Sequence, residues 1–275
     1  MPRLNGAAAA GVAPFDLADR GLTLGDGLFE TIAVFDGRPA ALDAHLDRMV
    51  EAAAEIRLPV DRGLLETEVA ALAGEGGDAV LRLTVTRGAG ARGLAIPEGG
   101  APTVIAARAP FPFAALGAPI QLATVSVQRN PTSFASRAKT LSYLDSVLAY
   151  DEARRAGADD ALMLNIHGRA ASTSMANLFA LFGRTLATPP VAEGVLPGIV
   201  RRLVLKLAPA LGLTPLERPL TRAELSDADA VFATNSVRLL MPVTALDGAR
   251  LAEETGVITA LAEAVREACG APRKG

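Results

Sequence analysis

Tryptophan is absent from this 275-residue chain, cysteine occurs once and histidine twice. A lone Cys269 excludes an internal disulfide and a cysteine-built metal cluster. His45 and His167 are too few for a zinc or di-iron site, so no metal is expected. Either could still act as the base of a Ser-His-Asp hydrolase. No run approaches about 18 strongly apolar residues, so no membrane-crossing helix is expected. A net charge of −3 and a pI near 5.5 provide no basic field for nucleic acid or an anionic membrane surface. Lysine is scarce as well: only Lys139, Lys206 and Lys274 occur, and arginine takes every other basic position.

What is present is a globular composition, 50% hydrophobic and 21% charged, long enough for one large domain or two modest ones. The start, MPRLNGAAAAGVAPFD, is too short, too weakly apolar and too interrupted for an export signal, and reads as a flexible or capping arm. A cytoplasmic location is therefore expected.

Two apolar runs around Asp36-Gly37 (28–42) predict a β-hairpin. Helical spacing follows at 41–58 and 62–75, with strands at 79–88 and 101–110. The first hundred residues thus read as a small α+β domain, 1–109. PFPFAALGAP (110–119) is the linker candidate. Beyond it, 120–275, come a strand at 120–128 and a helix at 142–155. Hairpins follow, turning at His167-Gly168 and Gly183. A helix at 197–211, strands at 228–236 and 241–249, and a closing helix at 251–269 complete the chain. The strand–helix alternation of a doubly wound sheet is missing, as are a dinucleotide fingerprint and a P-loop.

Among groups able to carry chemistry, a lysine amine can form a Schiff base with a carbonyl. Lys274 lies next to the C-terminus, and Lys206 shares an exposed helical stripe with Arg202. That leaves Lys139 in SRAKTLSYLD, at the apparent start of a helix, where an ordinary surface lysine is the competing reading. GVLPGIVRR (194–202) places Pro197 and Gly198 where a loop enters a helix, an arrangement that suits an anion or an ordinary helix start. FATNSV (232–237) follows a strand with hydroxyl and amide side chains, suited to a ligand or to a turn. TRGAGARGL (86–94) sets two arginines around a Gly-rich loop, suited to a carboxylate or to a surface hairpin.

Taken in order, these segments resemble the class IV aminotransferase family, the fold-type IV pyridoxal-phosphate enzymes. DRGLTLGDGLFETI (19–32), HLDRM (45–49), SRAKTLSYL (136–144), GADDALMLNIHGRAASTSMANLF (157–179), GVLPGIVRR and ATNSVRLLMPV (233–243) carry the likeness. The fold it implies is a two-domain α+β enzyme, a small α/β sandwich domain followed by a larger β-barrel-like domain with flanking helices. The cofactor implied is pyridoxal 5′-phosphate. By the same resemblance Lys139 forms the Schiff base and then acts as general base. Arg48, the backbone amides of Ile199 and Val200, and Ser236 with Asn235 beside it bind the phosphate. Tyr143, four residues after Lys139 and so on its helix face, either approaches the cofactor's phenolic oxygen or simply packs.

One position departs from the family. Its G-x-V-x-E pattern sets a glutamate against the pyridine nitrogen, and counting from Gly168 that place is Ser172. A hydroxyl supplies no charge to raise the nitrogen's pKa, so a weaker electron sink is expected. TRGAGARGL is closer to the TRG-x-G-x-RG loop of aminodeoxychorismate lyase than to the carboxylate trap of D-amino-acid transaminases, though Leu94 matches neither. Arg92 is the candidate for the substrate carboxylate. The first reading is a 4-amino-4-deoxychorismate lyase releasing pyruvate and 4-aminobenzoate. The alternatives are a transaminase of D- or branched-chain amino acids and a non-catalytic anion-binding remnant. The partners implied are a small-molecule amino substrate and a second copy of the chain as a homodimer, with no nucleic acid and no membrane.

Overall fold

The structure, a computed structural model, describes residues 1–9 and 13–272. Lys274 and part of the alanine-rich arm lie outside those residues. The chain divides into two compact units, Met1–Phe111 with Ala138–Ser142, and Pro112–Arg137 with Tyr143–Gly275.

In the first unit the elements run β1 (Arg3–Leu4), β2 (Ala7–Ala8), α1 (Arg20–Leu24), β3 (Gly27–Phe35), β4 (Arg38–Pro39), α2 (Leu42–Glu55), α3 (Arg62–Ala73), β5 (Ala79–Thr86) and β6 (Thr103–Pro110). They build one antiparallel sheet in the order β2-β1-β6-β5-β3-β4. Asp36 and Gly37 both take positive φ, 49° and 71°, the geometry that a two-residue hairpin of matching twist requires. Helices α2 and α3 cover the sheet. Leu28, Ile32, Leu46, Leu65, Leu72 and Leu81 fill the unit's core. The N-terminal arm is not simply flexible: Arg3 and Leu4 pair with β6 and extend the sheet.

The second unit runs β7 (Ile120–Thr124), α4 (Phe134–Arg137), α5 (Leu144–Arg155), β8 (Asp160–Leu164), β9 (Ala170–Ser172), β10 (Asn177–Phe182), β11 (Thr185–Thr188), α6 (Ile199–Leu207), β12 (Thr214–Glu217), α7 (Arg222–Asp227), β13 (Ala230–Asn235), β14 (Leu239–Leu246), β15 (Ala249–Arg250) and α8 (Gly256–Ala268). Strands β10, β13, β14, β7, β8 and β9 pair in sequence, and β9 closes back on β10 through Ser172 and Asn177. That ring is the expected barrel. Leu122, Leu162, Leu178, Met241 and Val243 fill one of its clusters. The rings of Phe179 and Phe232 stack with centroids 4.9 Å apart. Helix α6 packs on β13 and α8 on β14.

One reading is corrected. SRAKTLSYLD predicts Lys139 at a helix start with Tyr143 on the same face. Instead α4 ends at Arg137, Thr140 forms an isolated β-bridge with Leu28, and Tyr143 is the N-cap of α5. The segment Ala138–Ser142, expected within 120–275, clusters with the first unit. Its partner is β3, a contact between distant stretches of sequence that no local periodicity encodes.

Candidate functional site

In the first unit, the alternation of β3 turns Glu30 toward α2, where His45 and Arg48 sit one turn apart. Arg48 Nε donates to Glu30 Oε1 at 2.8 Å and its Nη2 to Oε2 at 2.6 Å. His45 Nδ1 lies 2.7 Å from Oε2. Glu30 and His45 are buried. Burial pushes the Glu30 carboxyl up, but the Arg48 charge and the bonds from His45 and Arg48 outweigh it and hold the pKa at about 2. The two histidines lie apart in kind, His45 buried against the Glu30 carboxylate and His167 exposed on its hairpin tip, and among the described residues neither is hydrogen-bonded to a serine.

Lys139 lies along β3. Phe29 N donates to Lys139 O at 2.9 Å, and Leu141 N donates to Gly27 O at 3.0 Å. A side chain at Gly27 would bring its Cβ within 2.8 Å of Leu141 Cδ1 and 2.5 Å of Val85 O, so the close approach requires glycine. The Lys139 ammonium sits 4.0 Å from the Phe29 ring centroid, and the Arg82 guanidinium carbon lies 3.8 Å from the same centroid. Next to the lysine, the buried Thr140 Oγ1 has no hydrogen-bond partner.

The N-terminal segment DRG, by contrast, is structural. Asp19 caps α1 through Gly21 N and accepts from Thr86 and Thr103. Arg20 bonds Asp26 and the carbonyl of Gly93, which ties down the Gly-rich loop. Arg92 in that loop is exposed. A groove of about 430 Å³ is lined by Arg57, Leu58, Arg87 and Pro97 among others, and none of the expected site residues lines it. The Arg87 guanidinium there is already taken by Asp26 and two backbone carbonyls.

In the second unit α6 begins at Ile199 with Gly198 as N-cap and no side chain capping it. The first amides, those of Ile199 and Val200, therefore keep their donors free of any cap. Asn177 holds this start in place by donating from Nδ2 to Leu196 O at 2.8 Å. A Cβ at Gly198 would meet Asn177 Oδ1 at 1.9 Å. After β13, Asn235 Oδ1 accepts from Val237 N and Arg238 N, so it shapes the turn. Ser236 beside it is partly buried, and the buried Thr234 Oγ1 has no partner among the described residues. Lys206 is exposed on α6.

Ser172 ends β9 and is buried. Its Oγ donates to Thr173 O at 2.8 Å and accepts from Arg129 Nε at 3.3 Å. Tyr143 is partly buried at the N-cap of α5. Glu30, His45 as a carboxylate partner, and Arg129 were not singled out by sequence as site residues. Only the one-turn spacing of His45 and Arg48 was a usable signal.

These residues fit the cofactor expected from the resemblance. A phosphate calls for donors and positive charge. The second unit offers uncapped amides at Ile199 and Val200, the partly exposed hydroxyl of Ser236 and the unpaired hydroxyl of Thr234. The first unit offers a fixed guanidinium at Arg48 and the amine of Lys139. The comparisons point the same way. Residues 27–246 match the family described as amino-transferase class IV. A provisionally assigned branched-chain-amino-acid aminotransferase from Methanocaldococcus jannaschii is 38% identical over 237 residues, 84% of this chain and 82% of that protein. The crystal structure of 4-amino-4-deoxychorismate lyase from Pseudomonas aeruginosa is 32% identical with a TM-score of 0.88, covering 97% of this chain and 98% of that one. A hypothetical aminotransferase from Mycobacterium tuberculosis, in its PLP-bound form, is 26% identical with a TM-score of 0.88, covering 98% of each chain.

Proposed function

The chain belongs to the class IV aminotransferase family and is a pyridoxal-phosphate-dependent enzyme of small amino substrates; from that premise we propose that Lys139 is the amine that holds the cofactor and moves protons at the substrate carbon. The observation that carries this reading is the placement of Lys139, whose carbonyl accepts from Phe29 N of β3, with Leu141 N bonded to Gly27 O beside it and the Lys139 ammonium on the Phe29 ring. When bound, the cofactor supplies an aldehyde for amines and an aromatic ring that draws electrons from the substrate carbon. Its phosphate would be held by Arg48, itself held by Glu30, in the first unit, and by the amides of Ile199 and Val200 and the hydroxyl of Ser236 in the second. Tyr143 remains the candidate for its phenolic oxygen, now from the start of α5 rather than from a shared helix face.

The favoured activity is the elimination of pyruvate from 4-amino-4-deoxychorismate. It is supported by the spacing of TRGAGARGL, by Arg92 exposed in that loop, and by the uncharged Ser172 where the family carries a carboxylate. A departing group helps to drive an elimination, which makes less demand on the ring. The likeness to the lyase from Pseudomonas aeruginosa fits this reading. The likeness to the Methanocaldococcus jannaschii protein supports the second reading, transamination of branched-chain amino acids. The chain acts as a homodimer in the cytoplasm on either reading. No helix among the described residues is long and apolar enough to cross a membrane.

The purified protein should be yellow, and borohydride should remove the visible band and fix the cofactor on Lys139. Protein that stays colourless with added pyridoxal 5′-phosphate overturns the assignment of Lys139. Offered aminodeoxychorismate beside D- and L-amino acids with 2-oxoglutarate or pyruvate, it should release 4-aminobenzoate. Turnover of the amino acids alone would replace the lyase reading with the transaminase one.

A further inference from the structure

Arg129 follows β7 and reaches toward the end of β9. Its Nε donates to Ser172 Oγ at 3.3 Å and its Nη2 to Ser146 Oγ at 3.1 Å, with a longer contact of 3.4 Å to Ser174 O. All three partners are neutral. Among the described residues Nη1 makes no hydrogen bond and Arg129 makes no ion pair. Burial lowers the pKa of this guanidinium, while Tyr143, Asp145 and Asp160 act on it from a distance and raise it. A partly buried cation without a carboxylate at contact, and with a donor left over, calls for an acceptor.

The serine beside it cannot be that donor's substitute. Ser172 has a single hydroxyl proton, and its geometry directs that proton to Thr173 O at 2.8 Å. Its remaining capacity is as an acceptor, which Arg129 uses. We propose that Arg129, not Ser172, meets the cofactor's ring nitrogen, donating a hydrogen bond to its lone pair and holding it unprotonated. This rests on the proposed function and on the reading that position 172 lies on the side of that nitrogen. A neutral pyridine nitrogen only accepts, which suits a guanidinium. A protonated one is a cation and a donor, and Arg129 would repel it.

The test uses holoenzyme loaded with pyridoxal 5′-phosphate labelled with 15N in the ring. The nitrogen shift should be that of unprotonated pyridine across neutral pH. Arg129→Gln should raise the nitrogen's pKa by about one unit or more. Ser172→Ala, which keeps the guanidinium, should leave the shift where it is. A pyridinium shift in the unaltered enzyme overturns the proposal. So does a Ser172→Ala variant whose nitrogen becomes protonated, since the hydroxyl would then have been the donor. If Arg129→Gln does not fold, those two measurements still decide. The visible band on Lys139 reports separately that the cofactor is seated, so a missing band counts against the function and a protonated nitrogen counts only against Arg129.

Discussion

Glu30 grips Arg48 at two points, Nε to Oε1 at 2.8 Å and Nη2 to Oε2 at 2.6 Å, and His45 braces the same carboxylate. A bidentate pair fixes the plane of the guanidinium as well as its position. Glu30→Gln keeps the shape and removes the charge, leaving Arg48 largely buried beside a neutral amide. The variant should lose about 3 kcal/mol of stability in a denaturant titration. Its affinity for pyridoxal 5′-phosphate should fall about tenfold, close to one charge-assisted bond, while affinity for pyridoxal stays unchanged. Equal loss for both compounds would mean that Arg48 does not serve the phosphate.

The same pair predicts an acid limb of stability. Folding holds Glu30 at about 2 against an ordinary 4.5, so the unfolded chain takes up the proton more readily. A depressed pKa gives stability that is complete above about pH 4.5 and is lost as the pH falls toward 2. The amount is roughly 3 kcal/mol, in line with the cost of removing the charge. Melting temperatures taken from pH 6 down to 2.5 should fall less steeply for Glu30→Gln than for the unaltered chain. Parallel curves would count against the pair as a source of acid sensitivity.

Gly198 sets the entry of α6. Its Cα faces Asn177 so closely that a methyl group would lie 1.9 Å from Oδ1. Gly198→Ala must therefore displace Asn177 or the first turn of α6. It should cost about 1–3 kcal/mol and weaken phosphate-dependent cofactor binding. Adding Asn177→Ala should recover part of the stability despite losing the bond to Leu196 O. Thermal melts of the three proteins check this, and strict additivity would show that the two residues do not collide.

The hairpin turns were legible because their chemistry is local. Asp36-Gly37, His167-Gly168 and Gly183 turn where the sequence places them, with each glycine at positive φ. Lys139 was legible as the scarce amine but not as a neighbour of β3. The bonds of Lys139 to Phe29 and of Leu141 to Gly27 join stretches more than a hundred residues apart, and the short α4 just before them imitates the start of a longer helix. Arg129 was hidden for another reason. In a chain that uses arginine almost wherever it needs a cation, residue type does not mark a guanidinium held only by two serine hydroxyls and a carbonyl. Glu30 was hidden inside an apolar strand, and only its pairing with α2 shows what it does.

Helix α5 leaves Leu144, Val147 and Leu148 exposed at spacings of three and four residues. That is one apolar stripe without cover in the single chain. If the chain is a homodimer that uses this stripe, Leu148→Glu should shift it toward monomer in light scattering coupled to size-exclusion chromatography. A dimer that persists in the variant would place the interface elsewhere, and a monomeric unaltered chain would remove the homodimer altogether.

Ser172→Glu brings the arguments about the ring together. The hydroxyl lies 3.3 Å from Arg129 Nε, so a carboxylate grown from that position meets a guanidinium that now has only neutral partners. Inserting the longer side chain at a buried position costs about 1–3 kcal/mol from crowding, and the new ion pair offsets part of that cost. Two consequences follow for the chemistry. Arg129 is neutralised and no longer opposes a proton on the ring nitrogen, and the carboxylate itself favours that proton. Both changes strengthen the ring's pull on electrons from the substrate carbon. Transamination, which depends on that pull throughout, should gain more than elimination, where the departing group shares the work. The ratio of the two kcat/KM values should therefore move toward transamination by about tenfold, equivalent to one unit of pKa. If both rates stay where they are while the 15N shift shows a newly protonated nitrogen, the charge at position 172 does not govern which reaction this enzyme performs.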